Sequence, residues 1–371
     1  MINKFGIYNN YYSWWKNIDK TILILVVSFF IAGLFFSLAS TSLIASDRLN
    51  TNSYYFFVKH LSFILLGLLI MFIFSLIKEE FLIKVSITFF VISLFLLFLV
   101  PFIGAEVKGS KRWLDLPFLP RFQPVELIKP FYIVILASLL NFQKYNLYFK
   151  YFLSLLLVVP IVLLLISQPD LGQSMLIILT WLALIFVSGI NLVIFFGLFG
   201  FFITIIFYLI FFVDKFNYIK IRITSFLDSS SNSYSQAEKA SEAIINGGFF
   251  GKGIGEGTLN SKIPEAHTDF IISVISEEMG FFAVSIILFS LIWFIYWVID
   301  YSQRIENNFI STLLIGLCSL IFMHVIINMA MISGLLPVTG LPVPFISYGG
   351  SFFLTCSIGI GLINNIINNH I

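Results

Sequence analysis

Long apolar runs separated by short polar interruptions set the pattern of this chain, at a spacing far too wide for strands. A bilayer core is about 30 Å thick, so a spanning helix needs roughly 20 mostly apolar residues. The pattern supplies about ten such runs. They predict helices over 21–45, 58–77, 81–103, 124–141, 151–167, 171–188, 192–213, 269–299, 309–336 and 345–367. Barrel strands would alternate in polarity over about 10 residues, and these runs are continuous. Helices remain as the way to satisfy the backbone in lipid. The expectation is an all-α polytopic membrane protein with one transmembrane domain over 21–371 and a large loop over 213–269. The polar, aromatic segment 1–20 carries no cleavage site and reads as a cytoplasmic lead-in.

Composition agrees with the pattern: 59% of the residues are hydrophobic and 11% charged, which excludes a soluble domain. The net charge of +2 selects no partner. Cys318 and Cys356 both sit in apolar runs and read as small buried hydrophobes. The four histidines, His60, His267, His324 and His370, are dispersed, and no metal-ligand spacing occurs. Gly251-Lys252 lacks the flanking residues of a phosphate-binding P-loop.

The distribution of charge says more. An even helix count puts both termini on one side, and Lys4, Lys16 and Lys20 assign that side to the cytoplasm. The opposite loops are nevertheless the more basic ones, with Arg48, Lys59, Lys108, Lys111, Arg112, Arg121, Lys215, Lys220, Arg222, Lys239, Lys252 and Lys262. Either the topology is inverted or the outer face needs cations for an anionic ligand. The segments with unusual chemistry are Lys108 to Glu126, Gln168 to Gln173, Val213 to Asp269 and Gly334 to Gly350. All fall in alternate connections, which in an up-and-down bundle meet on one membrane face. One composite outer site is expected.

Within those segments several residues are candidates. Asp269, after Pro264-Glu265-Ala266-His267-Thr268, reads either as a general base at a polar–apolar boundary or as an N-cap carboxylate. Glu126 and Lys129 share a helix face, and Pro130 deprives the Glu126 carbonyl of its helical partner. That pair reads equally as a site or as a packing lock. Lys108, Lys111, Arg112 and Arg121 surround Trp113, as phosphate ligands or as interfacial anchors. Asp170 reads chiefly as the cap of the helix after it, with a substrate contact as the minor reading. Ser235 to Ile245 reads as a short helix ended by Asn246-Gly247-Gly248. In the last connection, Ser347 and Tyr348 offer hydroxyls beside several prolines and glycines, where turn geometry also explains the stretch. His267, near Asp269, reads as a hydrogen-bond partner or as a structural residue.

Taken together and in order, these segments resemble those of the SEDS family (shape, elongation, division and sporulation) of bacterial cell-wall polymerases. Lys108-Gly109-Ser110-Lys111-Arg112-Trp113 resembles its G-x-x-R-W element, Gln123 to Lys129 its Q-P-S-E-x-x-K, and Gln168-Pro169-Asp170-Leu171-Gly172 its Q-P-D-L-G. Gly247-Gly248, Gly251-Lys252-Gly253 and Pro264 to Phe270 resemble its long-loop signature. Gly334 to Gly340 and Pro344 to Ser351 resemble its last one. Val125 and Phe352 stand where the family usually has Ser. The resemblance covers nearly the whole membrane region. It implies a peptidoglycan glycosyltransferase that polymerises lipid II, with Asp269 at the essential acidic position. Lys108, Lys111, Arg112, Lys129, Arg222 and Lys252 are then candidates to hold the pyrophosphate, and Glu126, Asp170, His267, Ser347 and Tyr348 further substrate contacts. No cofactor is required by this reading, and a divalent cation, Mg or Mn, is left open. Implied partners are lipid II, the undecaprenyl-pyrophosphate-linked glycan, a class B penicillin-binding transpeptidase and other division proteins. Ala266 before His267 and the stretch Gly255-Glu256-Gly257-Thr258 place the chain nearer the division branch than the elongation branch. A lipid flippase or transporter and a non-catalytic scaffold are the rival functions.

Overall fold

The computed structural model describes residues 14–16, 18–38, 54–107, 110–115, 120–217, 220–221, 224, 236–259, 263, 265–336 and 338–370. Its helices are α1 (Lys20–Phe36), α2 (Tyr55–Ser75), α3 (Glu79–Ile103), α4 (Pro124–Leu140), α5 (Leu147–Ser167), α6 (Leu171–Val187), α7 (Leu192–Phe212), α8 (Gln236–Gly247), α9 (Ile271–Arg304), α10 (Asn308–Ile332) and α11 (Gly350–His370). Seven of them are long and apolar enough to cross a membrane, and α1 and α6 are shorter apolar helices. Helix α4 carries the buried Glu126 and Lys129. A small antiparallel hairpin, β1 (Ala105–Val107) and β2 (Ser110–Trp113), follows α3. The sequence reading treats that stretch as loop.

Several boundaries differ from the expected ones for local reasons. Helix α1 is described to Phe36, the expected end at 45 lying outside the described residues, and α5 starts at Leu147, where the Asn146 side chain caps it by accepting from the Phe149 N–H at 2.8 Å. Helix α10 stops at Ile332 and α11 begins at Gly350, so the intervening glycine- and proline-rich stretch is a longer connection than predicted. Helix α9 runs to Arg304, past the expected 299, but is broken at Gly280 (φ 78°, ψ 179°).

The most enclosed membrane-length helix is the least hydropathic. In α11, 89% of the apolar window is buried and its mean hydropathy is 1.5. A helix surrounded by protein can carry Asn364 and Asn365, and the Asn365 amide donates to the carbonyls of Ser75 (2.9 Å) and Ile77 (2.6 Å) at the end of α2. At the other extreme, 11% of the α7 window is buried and its mean hydropathy is 2.7. Lipid alone must satisfy that surface, so almost every position is apolar. At the bundle end that holds the α2–α3 connection, the Trp14 indole donates to Ser75 Oγ at 2.7 Å and the Tyr301 hydroxyl donates to Asp19. These bonds fasten the N-terminal segment to that end.

Candidate functional site

At the opposite end, the four alternate connections singled out by the sequence meet. The β1–β2 hairpin brings Arg112 to the turn between α5 and α6. Its guanidinium donates to the Pro169 carbonyl and lies 3.7 Å from the Asp170 carboxylate. Gln123, just before α4, donates to the other Asp170 oxygen at 2.9 Å. Asp170 also accepts from the Gln173 N–H at 3.4 Å, so the expected cap of α6 is present. Burial pushes the Asp170 carboxyl up from its ordinary value, and the Arg112 charge pulls it partly back.

The same turn touches the last connection. A Cβ on Gly172 would fall 2.5 Å from the Thr339 carbonyl, so only glycine lets these two backbones meet. The neighbouring residue, Gly340, has a left-handed φ of 72°, and its Cβ position lies 3.6 Å from Asp269 Oδ2. Asp269 is half-buried at the end of a turn that starts at Glu265 (φ 57°), whose carbonyl accepts from the Thr268 N–H at 3.0 Å. Asn328 of α10 holds both sides of this junction, donating to the Asp269 carbonyl at 2.8 Å and to the Leu341 carbonyl at 2.7 Å. The Tyr348 N–H donates to the His267 carbonyl at 3.0 Å. The N-cap reading of Asp269 is corrected: the N-cap of α9 is Phe270, without a side-chain cap.

Beneath this surface lies a second polar cluster inside the bundle. Lys129 is fully buried, with its Nζ 2.8 Å from Glu126 Oε1 and 3.1 Å from His324 Nε2. It also lies 5.7 Å from the centroid of Phe352. Gln173 couples the two levels: its N–H faces Asp170 and its side-chain amide donates to Glu126 Oε1 at 2.7 Å. The Glu126 carbonyl, which Pro130 leaves without a helical donor, accepts from Thr355 Oγ1 of α11 at 2.6 Å. Both side chains of the Glu126–Lys129 pair are removed from any open surface, and the pair ties α4 to α6 and α10. Gln173, His324, Asn328 and Thr355 are missed by sequence reasoning. Only the freed carbonyl at Pro130 gives a signal, and it points to Thr355 without naming it.

The glycine-rich stretch has a different job from the one its composition suggests. The break at Gly280 leaves carbonyls of α9 without helical donors. Those of Glu277 and Glu278 accept from the N–H groups of Lys252 and Gly253, both at 2.9 Å. In return the Gly248 and Phe249 carbonyls accept from Phe281 (2.9 Å) and Phe282 (3.2 Å). A Cβ on Gly280 would sit 2.3 Å from the Phe249 carbonyl. The fully buried Glu277 carboxylate accepts from the Thr258 and Leu259 N–H groups at 2.9 and 3.0 Å and lies 3.8 Å from Lys252 Nζ. The stretch is thus stitched into the helix, and Lys252 faces a carboxylate of its own chain. The short α8 precedes it, as the sequence predicts.

The remaining candidates fall as follows. Lys111 is exposed on β2. Lys108 and Arg222 lie outside the described residues. The Ser347 hydroxyl is buried and accepts from the Val343 N–H at 2.8 Å, a turn bond. The rings of His267 and Tyr348 lie 5.7 Å apart, with Phe56 5.2 Å from His267. Burial raises the Tyr348 phenol above its ordinary value. Cys318 and Cys356 are buried free thiols. Among the described residues no three His, Cys, Asp or Glu side chains converge as metal ligands.

Comparison with known proteins fits this arrangement. The family model for the cell cycle proteins FtsW, RodA and SpoVE matches residues 19–370. The probable peptidoglycan glycosyltransferase FtsW of Coxiella burnetii is 33% identical over 357 residues, covering 93% of this chain and 95% of that protein. The peptidoglycan glycosyltransferase MrdB of Escherichia coli K12 is 33% identical over 286 residues, covering 75% and 76%. Among solved structures, a chain from a peptidoglycan synthase complex that couples polymerization and crosslinking superposes with a TM-score of 0.80 at 25% identity, covering 95% and 98%. The rod shape determining protein RodA of Thermus thermophilus has the same fold, with a TM-score of 0.72 at 24% identity, covering 96% and 98%.

Proposed function

The chain belongs to the FtsW, RodA and SpoVE family of cell cycle proteins, and on that premise we propose that it is a peptidoglycan glycosyltransferase that polymerises lipid II. One observation carries the site assignment. Asp269 presents a half-buried carboxylate beside the positive-φ Gly340, where the connections after α3, α5, α7 and α10 come together. In the reaction, the Asp269 carboxylate accepts the proton of the acceptor sugar 4-hydroxyl. That oxygen attacks the anomeric carbon of the strand held on undecaprenyl pyrophosphate. A C–O bond to the acceptor forms, the C–O bond to phosphate breaks, and the pyrophosphate leaves with the electron pair. A single displacement inverts the anomeric centre. General-base catalysis supplies typically about 10²–10⁴-fold.

The leaving anion needs cations in a water-poor site. Arg112 is the best placed of the described cations, because its contacts to Pro169 and Asp170 fix the guanidinium while a quarter of the side chain stays exposed. Lys111, beside it on β2, supplies mobile charge, and Lys108 and Arg222 are further candidates. Lys129 and Lys252 act on structure, through Glu126 and Glu277. Placing this end of the bundle in the periplasm, with cytoplasmic termini, accounts for its excess of basic loops. The partner is a class B penicillin-binding transpeptidase, a reading supported by the fold shared with a chain of the synthase complex. The cellular role is septal synthesis, on the strength of Ala266 and the Gly255 to Thr258 stretch. Elongation is the second reading, favoured by the equal identity to MrdB.

The test is the purified chain, with and without a class B penicillin-binding protein, given labelled lipid II. Strand growth by the wild type and its near-abolition in Asp269→Asn, with lipid II binding retained, are expected. Full polymerisation by that variant removes Asp269 from the chemistry. Transfer of lipid II across a sealed vesicle without polymer assigns the chain to the transporters instead.

A further inference from the structure

His60 is a buried polar group that the proposed reaction does not use. It lies on α2, is 1% exposed, and neither ring nitrogen has a hydrogen-bond partner among the described residues. Leaving a buried donor or acceptor unpaired is costly, and an aliphatic side chain would fill the same space without that cost. Such a group calls for an explanation in what it touches.

Its neighbours lead to the site. The imidazole stands edge-on to Tyr348, with centroids 5.6 Å apart at 85°, and edge-on to Phe353 of α11 at 6.0 Å and 85°. Phe56, one turn earlier on α2, touches His267 at 5.2 Å and Tyr348 at 5.8 Å. Two side chains of one rigid helix therefore grip two separate connections at once. Those connections are joined to each other by the bond from the Tyr348 N–H to the His267 carbonyl. His267 is two residues from Asp269, in the turn that sets that carboxylate. From the other side, Phe63 of α2 presses on the start of α11, where a Cβ on Gly350 would lie 2.4 Å from its ring. The α2 face thus braces Tyr348 from its side chain and from the helix that follows it.

We propose that His60 is a positioning residue of the polymerase site, which acts through Tyr348 and His267 to hold the turn that carries Asp269. An edge-on imbalance of charge between imidazole and phenol ring gives the contact a preferred geometry, which an aliphatic chain lacks. This role rests on the polymerase reading for its effect on rate, but the placement of the turn is measurable without it.

The test compares His60→Leu, His60→Phe and wild type as full chains in nanodiscs. Hydrogen exchange of the amides at 268–270 and 348 should rise at least fivefold in His60→Leu, with α6 unchanged and the thermal midpoint equal or higher. His60→Phe, which keeps a ring edge-on to Tyr348, should recover most of the protection. In the lipid II assay, kcat should fall about five- to twentyfold in His60→Leu with KM within twofold, and His60→Phe should recover part of it. Wild-type exchange at those amides in His60→Leu overturns the proposal whatever the polymer assay gives. Faster exchange with unchanged kcat, in a wild type that does polymerise, also overturns it. A wild type that makes no polymer refutes the polymerase reading, and the exchange data then stand alone.

Discussion

Thr355→Val isolates one bond that crosses the membrane interior between α11 and α4. The Thr355 hydroxyl is 2.6 Å from the Glu126 carbonyl, with a second acceptor, the Ser351 carbonyl, at 3.2 Å. Pro130 has no N–H, so the carbonyl four residues before it has no helical donor. Valine matches threonine in shape but removes the hydroxyl that donates to that carbonyl. A buried unpaired group costs about 1–3 kcal/mol in soluble proteins, whereas membrane hydrogen bonds average about 0.6 and reach about 1.7 kcal/mol. The missing helical partner places this case at the upper end, about 1–2 kcal/mol. Pro130→Ala restores an N–H at the right place, and a carbonyl has two lone pairs. In that background the same Thr355→Val should cost less than about 0.5 kcal/mol, a coupling of roughly 1 kcal/mol between residues that act on one atom. Reversible unfolding in mixed micelles of the four proteins measures it. Equal costs in both backgrounds would refute the claim that Thr355 replaces the bond lost at Pro130.

Three other outcomes follow from the same geometry. Lys129→Met leaves the Glu126 carboxylate buried without its charge partner and should lower stability by about 3–5 kcal/mol, while adding Glu126→Gln should restore most of it; the same micelle unfolding reads both. Gly280→Ala forces an L side chain into φ 78° with its Cβ 2.3 Å from the Phe249 carbonyl, so amide exchange over 247–253 should rise more than tenfold, and native-like exchange would show that the break does not hold the glycine loop. Arg112→Lys keeps the charge but cannot reach Pro169 and Asp170 at once with a planar fork, and should weaken lipid II binding several-fold in a direct binding assay while Lys111→Arg has little effect.

The sequence makes the bundle legible because lipid enforces a coarse rule that each helix must obey alone. Length and apolarity reveal α2, α3, α5 and α7 nearly to their ends. The rule weakens where protein replaces lipid, so the boundaries around α10 and α11 are misjudged: there the buried Asn328 and Asn365 amides donate to backbone carbonyls of neighbouring elements, which no helix period reveals. The site is legible as a set of connections, because alternation in the bundle sends them to one end. Their internal pairings are not, since each joins residues far apart in the chain. Arg112 to Asp170, Gly172 to Thr339, and Gln173 to Glu126 depend on which helices are adjacent. Lys252 is a further case: a cation among glycines suggests an anion site, and the buried Glu277 that it also faces lies beyond the loop, inside a run that reads as helix.

The fracture of α9 at Gly280 divides one long helix into two levers with different attachments. The short lever before it, Ile271 to Met279, is bonded to the glycine loop and continues the turn of Asp269. The long lever after it, Phe281 to Arg304, leans on the lipid and is tethered at its far end through Tyr301 and Asp19. Its first two residues, Phe281 and Phe282, are bonded to the same glycine loop as the short lever, so the loop splints the fracture from both sides. The turn that carries Asp269 is therefore joined to the far end of its own helix through a loop that grips both sides of the break.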